Sequence, residues 1–243
     1  MISFIKTSDV DLRSLKQAFL VTGYQGFGMV GYLTTRHIVR ELKLRRIGFI
    51  KTRYMPEFTF YTREHGLVYP FEVYAGEAGG RSLLVVLHNA TPVERERTMY
   101  AEYLASFARE LGVEEVVLVG GLDPSLREGN EKYRWIPIGE TSIKLNARIL
   151  EERYVIGPLA STMMFMQAYG LKGATILPYT ELYRPDPRAS IVAVEVLSEV
   201  LNVKIGTSTL EEEALMIEAI ESEKEKIEKA LEEGERRSRL SYI

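Results

Sequence analysis

The sequence contains no cysteine and few side-chain amides. The absence of cysteine excludes disulfides, thiolate nucleophiles and cysteine metal ligands. It is also typical of a reducing compartment, so we expect a cytoplasmic protein. Three Gln and four Asn accompany 31 Lys and Arg and 34 Asp and Glu. A chain that is poor in heat-labile amides and rich in ion-pairing side chains is typical of thermophiles.

An excess of positive charge is also lacking, because the formal net charge is −3 and the pI is about 5.8. Such a chain has no basic field to hold a nucleic-acid backbone. No apolar run approaches the roughly 20 residues that span a bilayer, and the amino terminus lacks the apolar core of a signal peptide. We therefore expect a soluble, unprocessed protein that binds neither nucleic acid nor membranes.

Apolar runs of strand type alternate with helical patterns along the first 207 residues. The run 18–22 precedes a helix that begins near Met29 and a second run at 47–51, which predicts a β-α-β unit. Residues 57–88 hold three short β-type runs broken by Gly and Pro, which predicts hairpins in the same sheet.

The remaining patterns continue this alternation as far as residue 201. They predict a helix at 92–111, strands at 116–119, 135–138 and 174–177, and helices at 158–169 and 187–201. Alternation of this kind predicts an α/β fold, a three-layer α/β/α sandwich with a mainly parallel sheet.

The composition changes after this region. Residues 210–234 are rich in Glu and repeat apolar side chains at three- and four-residue spacings, which predicts an amphipathic helix. We divide the chain into an α/β domain at 1–207, a carboxyl-terminal helix at 208–235 and a flexible tail at 236–243.

The segment GYQGFGMVG at 23–31 has the GxGxxG spacing of dinucleotide-binding loops, formed by Gly26, Gly28 and Gly31. Glycines also permit a tight turn and close packing of a helix under a strand without any ligand. The residues that end the second strand include Arg53 and no acid to hold a ribose, although an arginine could meet the 2′-phosphate of NADP. We favour a structural glycine loop and expect no cofactor.

Candidate catalytic residues are isolated. His37, His65 and His88 are too scattered for a metal site, and Ser161 lacks the glycine-flanked elbow of hydrolases. Asp123 is the best single candidate, because it follows two glycines at the end of an apolar strand, where α/β proteins place ligands. We favour the alternative, a loop aspartate that fixes a turn before Pro124. We therefore expect no catalytic set and no metal.

Two neighbours of Asp123, Arg127 and Glu128, add charge to the same loop. Three methionines, Met163, Met164 and Met166, crowd one helical stretch. Such a stretch is typical of core packing and also of adaptable interfaces.

Four separated segments resemble the archaeal and bacterial branch of the proteasome assembly chaperone family, the PAC2-like proteins. They are GFGMVG at 26–31, GGL at 120–122, IGPLAS at 156–161 and PDPRAS at 185–190. The resemblance covers most of the chain. It implies a phosphorylase/hydrolase-like α/β fold without established catalysis, homo-oligomers, and an archaeal link to the 20S proteasome. Some such sequences carry an ATP-grasp label, but no paired carboxylates for magnesium are evident beside the glycine loop.

The resemblance also implies a role for the carboxyl terminus, where family members that bind the proteasome carry a hydrophobic residue, tyrosine and a final residue. Here Tyr242 matches the tyrosine and Ile243 supplies the carboxylate. Ser241 occupies the position of the hydrophobic residue, and Leu240 lies one place too early. We expect Leu240, Tyr242 and Ile243 to bind the α subunits of the 20S proteasome.

Two functions remain open from the sequence. The first is a non-enzymatic assembly chaperone or proteasome-binding adaptor that forms a homo-oligomer. The second is an enzyme that binds a nucleotide or a phosphorylated small molecule at the Gly26–Gly31 loop, because strand, loop and helix follow one another there as in phosphate-binding sites.

Overall fold

The structure, a computed structural model, describes the backbone of residues 1–240 and the side chains of residues 1–224 and 226. Its centre is an eight-stranded sheet of order β1-β3-β6-β7-β2-β8-β10-β9, and β4 and β5 form a separate hairpin. In chain order the strands are β1 (Ser3–Lys6), β2 (Phe19–Gly23), β3 (Arg45–Lys51), β4 (Tyr61–Thr62), β5 (Gly66–Leu67), β6 (Phe71–Ala78), β7 (Arg81–His88), β8 (Glu115–Val119), β9 (Tyr133–Ile138) and β10 (Gly173–Pro178).

The centre of the sheet is parallel and its margins contain antiparallel pairs. β7, β2, β8 and β10 are consecutive parallel neighbours. β6 runs antiparallel to β7 and to β3, so β3 points in the same direction as the central strands. β1 and β9 are the antiparallel edge strands. Five of the eight strands thus share one direction.

Helices cover both faces of the sheet. They are α1 (Val30–Glu41), α2 (Arg97–Leu111), α3 (Pro158–Ala168), α4 (Pro187–Val200) and α5 (Ser208–Leu240). Side chains of α2 and α3 share one apolar core with the sheet, whereas α1, α4 and the start of α5 share the other. The predicted three-layer α/β/α sandwich is therefore confirmed.

The two cores follow from the alternation of side chains along each strand. Leu20 and Leu84 enter the core of α2 and α3, whereas their neighbours Val21 and Val85 enter the core of α1 and α4. All four side chains are fully buried. Each contributes about 1.5–3 kcal/mol by leaving water, which explains why the central strands are continuously apolar.

The two strands of the predicted β-α-β unit are parallel, as expected, but they are not neighbours in the sheet. β2 and β3 point the same way across α1, but β6 and β7 lie between them. The hairpin of β6 and β7, which the glycine-rich turn after Ala78 closes, inserts two strands into the gap. Residues 57–88 form two hairpins, as predicted, but only the hairpin of β6 and β7 belongs to the main sheet, because β4 and β5 pair only with each other.

Helix α2 begins five residues later than its predicted start at Pro92. A short 3₁₀ turn at Glu94–Glu96 precedes it. The buried carboxylate of Glu96 accepts the backbone N–H groups of Arg53 and Tyr54 at 2.8 and 3.1 Å. This turn therefore anchors the loop after β3 instead of extending the helix.

Helix α5 is longer than predicted. Its expected end at residue 235 is replaced by an end at Leu240, so residues 236–240 of the predicted flexible tail are helical. A single internal glycine, Gly234, costs a helix only about 1 kcal/mol. The division of the chain into functional units remains a prediction.

Among the described helices, none is both long enough and apolar enough to cross a membrane.

Candidate functional site

The glycine loop lies where β2 ends and α1 begins. Gly28 has a φ of 59° and Met29 a φ of 51°, so two consecutive residues adopt the left-handed conformation. The Met29 N–H donates to the Gly26 carbonyl at 2.9 Å, which closes the turn. The loop therefore reverses the chain within a few residues, and α1 starts immediately under the sheet.

Close backbone packing fixes the start of α1. A Cβ atom on Gly31 would lie 2.5 Å from the Val119 carbonyl oxygen and 2.9 Å from the Gly23 Cα atom. A Cβ atom on Gly23 would in turn lie 2.5 Å from the Gly31 Cα atom. No side chain fits between helix and strand at this point.

The other side of the loop packs against the connection from β10 to α4. A Cβ atom on Gly28 would overlap the Thr180 hydroxyl, and the Asp186 N–H donates to the Gly28 carbonyl at 2.9 Å. The Asp186 carboxylate accepts from the Thr180 hydroxyl at 3.0 Å and from the Ala189 N–H at 3.0 Å. Asp186 thus caps α4 and also holds the glycine loop.

The Asp186 carboxylate thus lies beside the glycine loop. A phosphate bound in this loop would need positive charge there, not a carboxylate. The geometry favours packing as the role of Gly28 and Gly31. Gly26 differs, because a Cβ atom built on it meets nothing within 4 Å.

An apolar cavity of about 330 Å³ opens beside the same loop. It lies at the carboxyl ends of β2 and β8, the position at which α/β folds bind ligands. Its walls come from the glycine loop, from the loop after β8 and from the segment before α3. They include Phe27, Gly121, Leu122, Ile156 and Leu159.

Asp123 belongs to the rim of this cavity and acts as a turn cap. Its carboxylate accepts the Ser125 N–H at 2.8 Å, and this bond lowers the pKa of Asp123 below its ordinary value. The guanidinium of Arg127 lies 4.8 Å from the ring centre of Tyr179, and Glu128 forms ion pairs with Arg134 and Arg148. The three charged residues of this loop are therefore not gathered around one reacting position.

The three histidines lie apart. His88 is fully buried and bonds to the Gly23 carbonyl at 3.0 Å and to the Tyr100 hydroxyl at 2.9 Å. Burial lowers the pKa of His88 to about 3. His37 bonds to the Gly206 carbonyl at 2.6 Å, and His65 lies 3.6 Å from the carboxylate of Glu64.

Within the described part of the chain, no three His, Asp or Glu side chains form a group that could hold a metal. Ser161 lies in the first turns of α3, where its N–H bonds to the Gly157 carbonyl. The three methionines of α3 separate: Met166 is fully buried, whereas Met164 is 64% exposed. Met163 packs at the edge of the core.

The base of α5 rests on α1 and α4 through apolar contacts and ion pairs that the sequence analysis did not identify. Leu210 is buried in the core of α1 and α4, and Ala214 is also buried. Arg36 of α1 binds Glu213 at 2.6 Å.

Two further arginines flank Asp186 and bind the next turns of α5. Arg188 binds Glu218 at 2.5 Å, and Arg184 binds Glu221. The hydrogen bond from Arg188 lowers the pKa of Glu218 below its ordinary value. A run of Glu on a helix is usually solvated, so only the fold distinguishes these three carboxylates from their neighbours.

Charge is divided unequally along the chain. Residues 208–235 contain eleven Glu and three Lys, a formal charge of −8, and residues 236–243 contain three Arg. Residues 1–207 therefore carry +2. The side chain of Leu240 and the residues Tyr242 and Ile243, which we expect to bind the proteasome, lie outside the described part of the structure.

Comparison with known proteins decides the family, because the model of the PAC2 family matches residues 20–225. The chain belongs to the PAC2 family. An uncharacterized protein of Methanocaldococcus jannaschii is 25% identical over 246 residues, which cover 96% of this chain and 92% of that protein.

Solved structures share the PAC2 fold. Pyrococcus furiosus PbaA, described as an archaeal homolog of proteasome-assembly chaperone, superposes with a TM-score of 0.77 at 22% identity and covers 100% of this chain and 99% of its own. Pyrococcus furiosus PbaB, described as an archaeal proteasome activator, has a TM-score of 0.75 at 18% identity, with coverage of 92% and 98%. The resemblance noted in the sequence is thus confirmed at the level of family and fold.

Proposed function

We propose that this protein is a non-enzymatic proteasome assembly chaperone homologue or proteasome-binding adaptor. In this proposal it forms a homo-oligomer and engages the α-ring of the 20S proteasome through its carboxyl-terminal tails. The observation that carries the proposal is the PAC2 family match over residues 20–225. The description of PbaA as an assembly-chaperone homolog and of PbaB as a proteasome activator supports the same class of function.

The tail supplies the chemistry of contact. The ring of Tyr242 fills a pocket between two α subunits and its hydroxyl donates a hydrogen bond, while the carboxylate of Ile243 pairs with a cationic side chain. One such tail binds weakly. Several tails on one symmetric oligomer bind at a raised effective concentration and gain on the order of 10² to 10⁴ in affinity.

The test compares the full chain with a chain that lacks residues 240–243, using archaeal 20S proteasome and a binding assay such as surface plasmon resonance. We expect the truncated chain to keep its oligomeric mass by native mass spectrometry and to lose binding. A Ser241→Leu variant, which places a hydrophobic residue before Tyr242, is expected to bind more tightly. Equal binding by the full and truncated chains would contradict the proposal.

A second candidate is an enzyme or binding protein for a nucleotide or a phosphorylated small molecule at the Gly26–Gly31 loop. The 330 Å³ cavity beside that loop favours it. A thermal-shift screen with ATP, NADP and nucleosides separates the two candidates, because a ligand that binds the folded state raises the melting temperature. We expect no shift at millimolar concentrations. A shift that is lost in the Phe27→Ala variant would favour the second candidate.

A further inference from the structure

Among the described side chains of α5, Glu221 makes the last ion pair with the body, and the helix leaves the body soon after it. Leu210 and Ala214 are buried, and Glu221 is half-buried against Arg184. The described side chains beyond Glu221 are exposed. The backbone nevertheless stays helical as far as Leu240. The position of the α5 backbone at Leu240 therefore depends on the angle at which the base of α5 is held.

Three arginines surround this base. Arg36 approaches from α1 and binds Glu213, while Arg184 and Arg188 approach from the start of α4 and bind Glu221 and Glu218. The three carboxylates occupy successive turns of α5. The apolar contacts of Leu210 and Ala214 set the angle of the helix less sharply, because the hydrophobic effect is not directional. Charged pairs with a defined geometry remove that freedom.

We propose that Arg36, Arg184 and Arg188 are positioning residues that fix the direction in which α5 leaves the body and thus where the tail of each subunit is presented. The part of this inference that concerns tails rests on the proposed function. These pairs are half-exposed, so they contribute little to the stability of the fold. Their effect lies in the choice of one orientation among several.

The length of α5 makes a small angle matter. The stretch after Glu221 up to Leu240 contains 19 residues, which span about 28 Å at 1.5 Å per residue. A tilt of about 10° at the base moves the end of such a helix by about 5 Å, roughly one helical turn. A displacement of that size separates a tyrosine that enters a pocket from one that misses it.

The positioning of α5 gives a structural role to two of the segments that resemble the family. PDPRAS, at 185–190, follows Arg184 and contains Arg188. The backbone N–H of its Asp186 donates to the Gly28 carbonyl. The glycine loop in turn sets the start of α1, which carries Arg36. The glycine loop and PDPRAS are thus tied together and jointly hold the three arginines in place.

The experiment measures the direction of α5 without the proteasome. Because the chain has no cysteine, Glu199→Cys and Ser222→Cys introduce the only two sites for nitroxide labels. Both positions are exposed, one on α4 and one just beyond Glu221, which pairs with Arg184. Double electron–electron resonance, with labelled chains diluted by unlabelled ones, gives the distance between them within one subunit.

We expect one narrow distance distribution in the parent chain. The double variant Arg184→Glu/Arg188→Glu is expected to broaden it or to shift it by several ångströms. The additional exchange Glu218→Arg/Glu221→Arg restores the pairs with reversed polarity and is expected to narrow it again. The milder Arg184→Gln/Arg188→Gln variant serves if the reversed one does not fold. Lys226→Glu, which lies beyond these ion pairs, is the control and is expected to leave the distribution unchanged.

An unchanged distribution in the reversed or neutralised variant, or no recovery in the exchanged one, would overturn the positioning role. Binding to 20S proteasome is measured on the same variants. We expect at least a tenfold loss on reversal and recovery on exchange. If the distances respond as expected but even the parent chain does not bind the proteasome, the positioning of α5 stands and the proposed function fails.

Discussion

Gly26 and Gly28 lie two residues apart in one loop, yet a side chain added to each would meet different surroundings. At Gly28 the φ angle is 59° and the Thr180 hydroxyl occupies the place of a Cβ atom. At Gly26 nothing lies within 4 Å of that place. The two positions therefore form a matched pair that separates backbone packing from ligand binding.

We expect Gly28→Val to lower the free energy of unfolding by about 2–4 kcal/mol, because a left-handed β-branched residue is strained and its side chain overpacks the loop. Gly26→Val is expected to change stability by less than about 1 kcal/mol. Urea unfolding followed by circular dichroism measures both. A Gly28→Val protein of normal stability that loses only nucleotide binding would indicate a phosphate loop instead.

His88 gives the fold a dependence on pH. The folded protein keeps this imidazole neutral down to a pKa of about 3, whereas an unfolded chain takes up the proton near pH 6.5. The unfolded state therefore binds more protons between these values. The free energy of unfolding falls as the pH decreases through this window, and the contribution of His88 is complete above it.

We expect the parent protein to lose a few kcal/mol more than the His88→Asn variant when urea unfolding is compared at about pH 7 and about pH 4. The asparagine side chain would keep an N–H for the Gly23 carbonyl but would have no group that titrates. Parallel loss of stability in the two proteins would show that buried carboxylates, and not His88, set the pH dependence.

At the scale of elements, helix α4 begins with a cap that serves two segments. The Asp186 carboxylate accepts from the Ala189 N–H, the Glu181 N–H and the Thr180 hydroxyl. Asp123 caps a short exposed turn through one N–H. The two aspartates thus differ in the number of hydrogen bonds they accept, although both follow the ends of neighbouring strands.

We expect Asp186→Ala to lower the unfolding free energy by about 2 kcal/mol or more and Asp123→Ala by less than about 1 kcal/mol, because the first removes the acceptor for three donors. Asp186→Asn, which keeps one carbonyl acceptor, is expected to fall between them. Thermal unfolding of the three variants in one buffer provides the comparison. Equal losses at both positions would mean that the contacts of the Asp186 carboxylate with Thr180 and Glu181 add nothing.

Element types could be predicted from sequence because the signals are local. The apolar run at residues 116–119 and the glycine after Leu111 mark a buried strand and a helix end, and both occur as predicted. The neighbours of each strand could not be predicted, since nothing near β2 indicates that β7 and not β3 lies beside it. The start of α2 was misplaced because Glu96 serves a loop 43 residues earlier in the chain.

In the candidate site, too, features with local signals could be predicted and long-range contacts could not. The glycine spacing at residues 26–31 and the proline after Asp186 are visible as letters, and they identify a loop and a helix start. No local signal in the sequence identifies the base of α5, because Arg36 and its partner Glu213 are 177 residues apart. Local signals in the sequence therefore mark the ends of the elements but not the contacts that join them.

At the scale of the whole molecule, the proposed function depends on the number of tails. Full-length and truncated subunits mixed in different ratios give oligomers with fewer tails on average. We expect the affinity for 20S proteasome to fall much more steeply than the tail fraction, because each lost tail removes an intramolecular binding step. Titration of the mixtures on immobilised proteasome measures this. A linear dependence would show that each tail acts alone.

The charge of α5 has a consequence for any assembly of several copies. Residues 208–235 carry −8 in each subunit and residues 236–243 carry three arginines. In the proposed homo-oligomer, copies of α5 that come within about 8 Å of one another would repel at physiological ionic strength. We expect the copies of α5 in that oligomer to lie further apart at low salt and closer together at high salt. The spacing between the carboxyl-terminal segments of such an oligomer would therefore vary with the ionic strength.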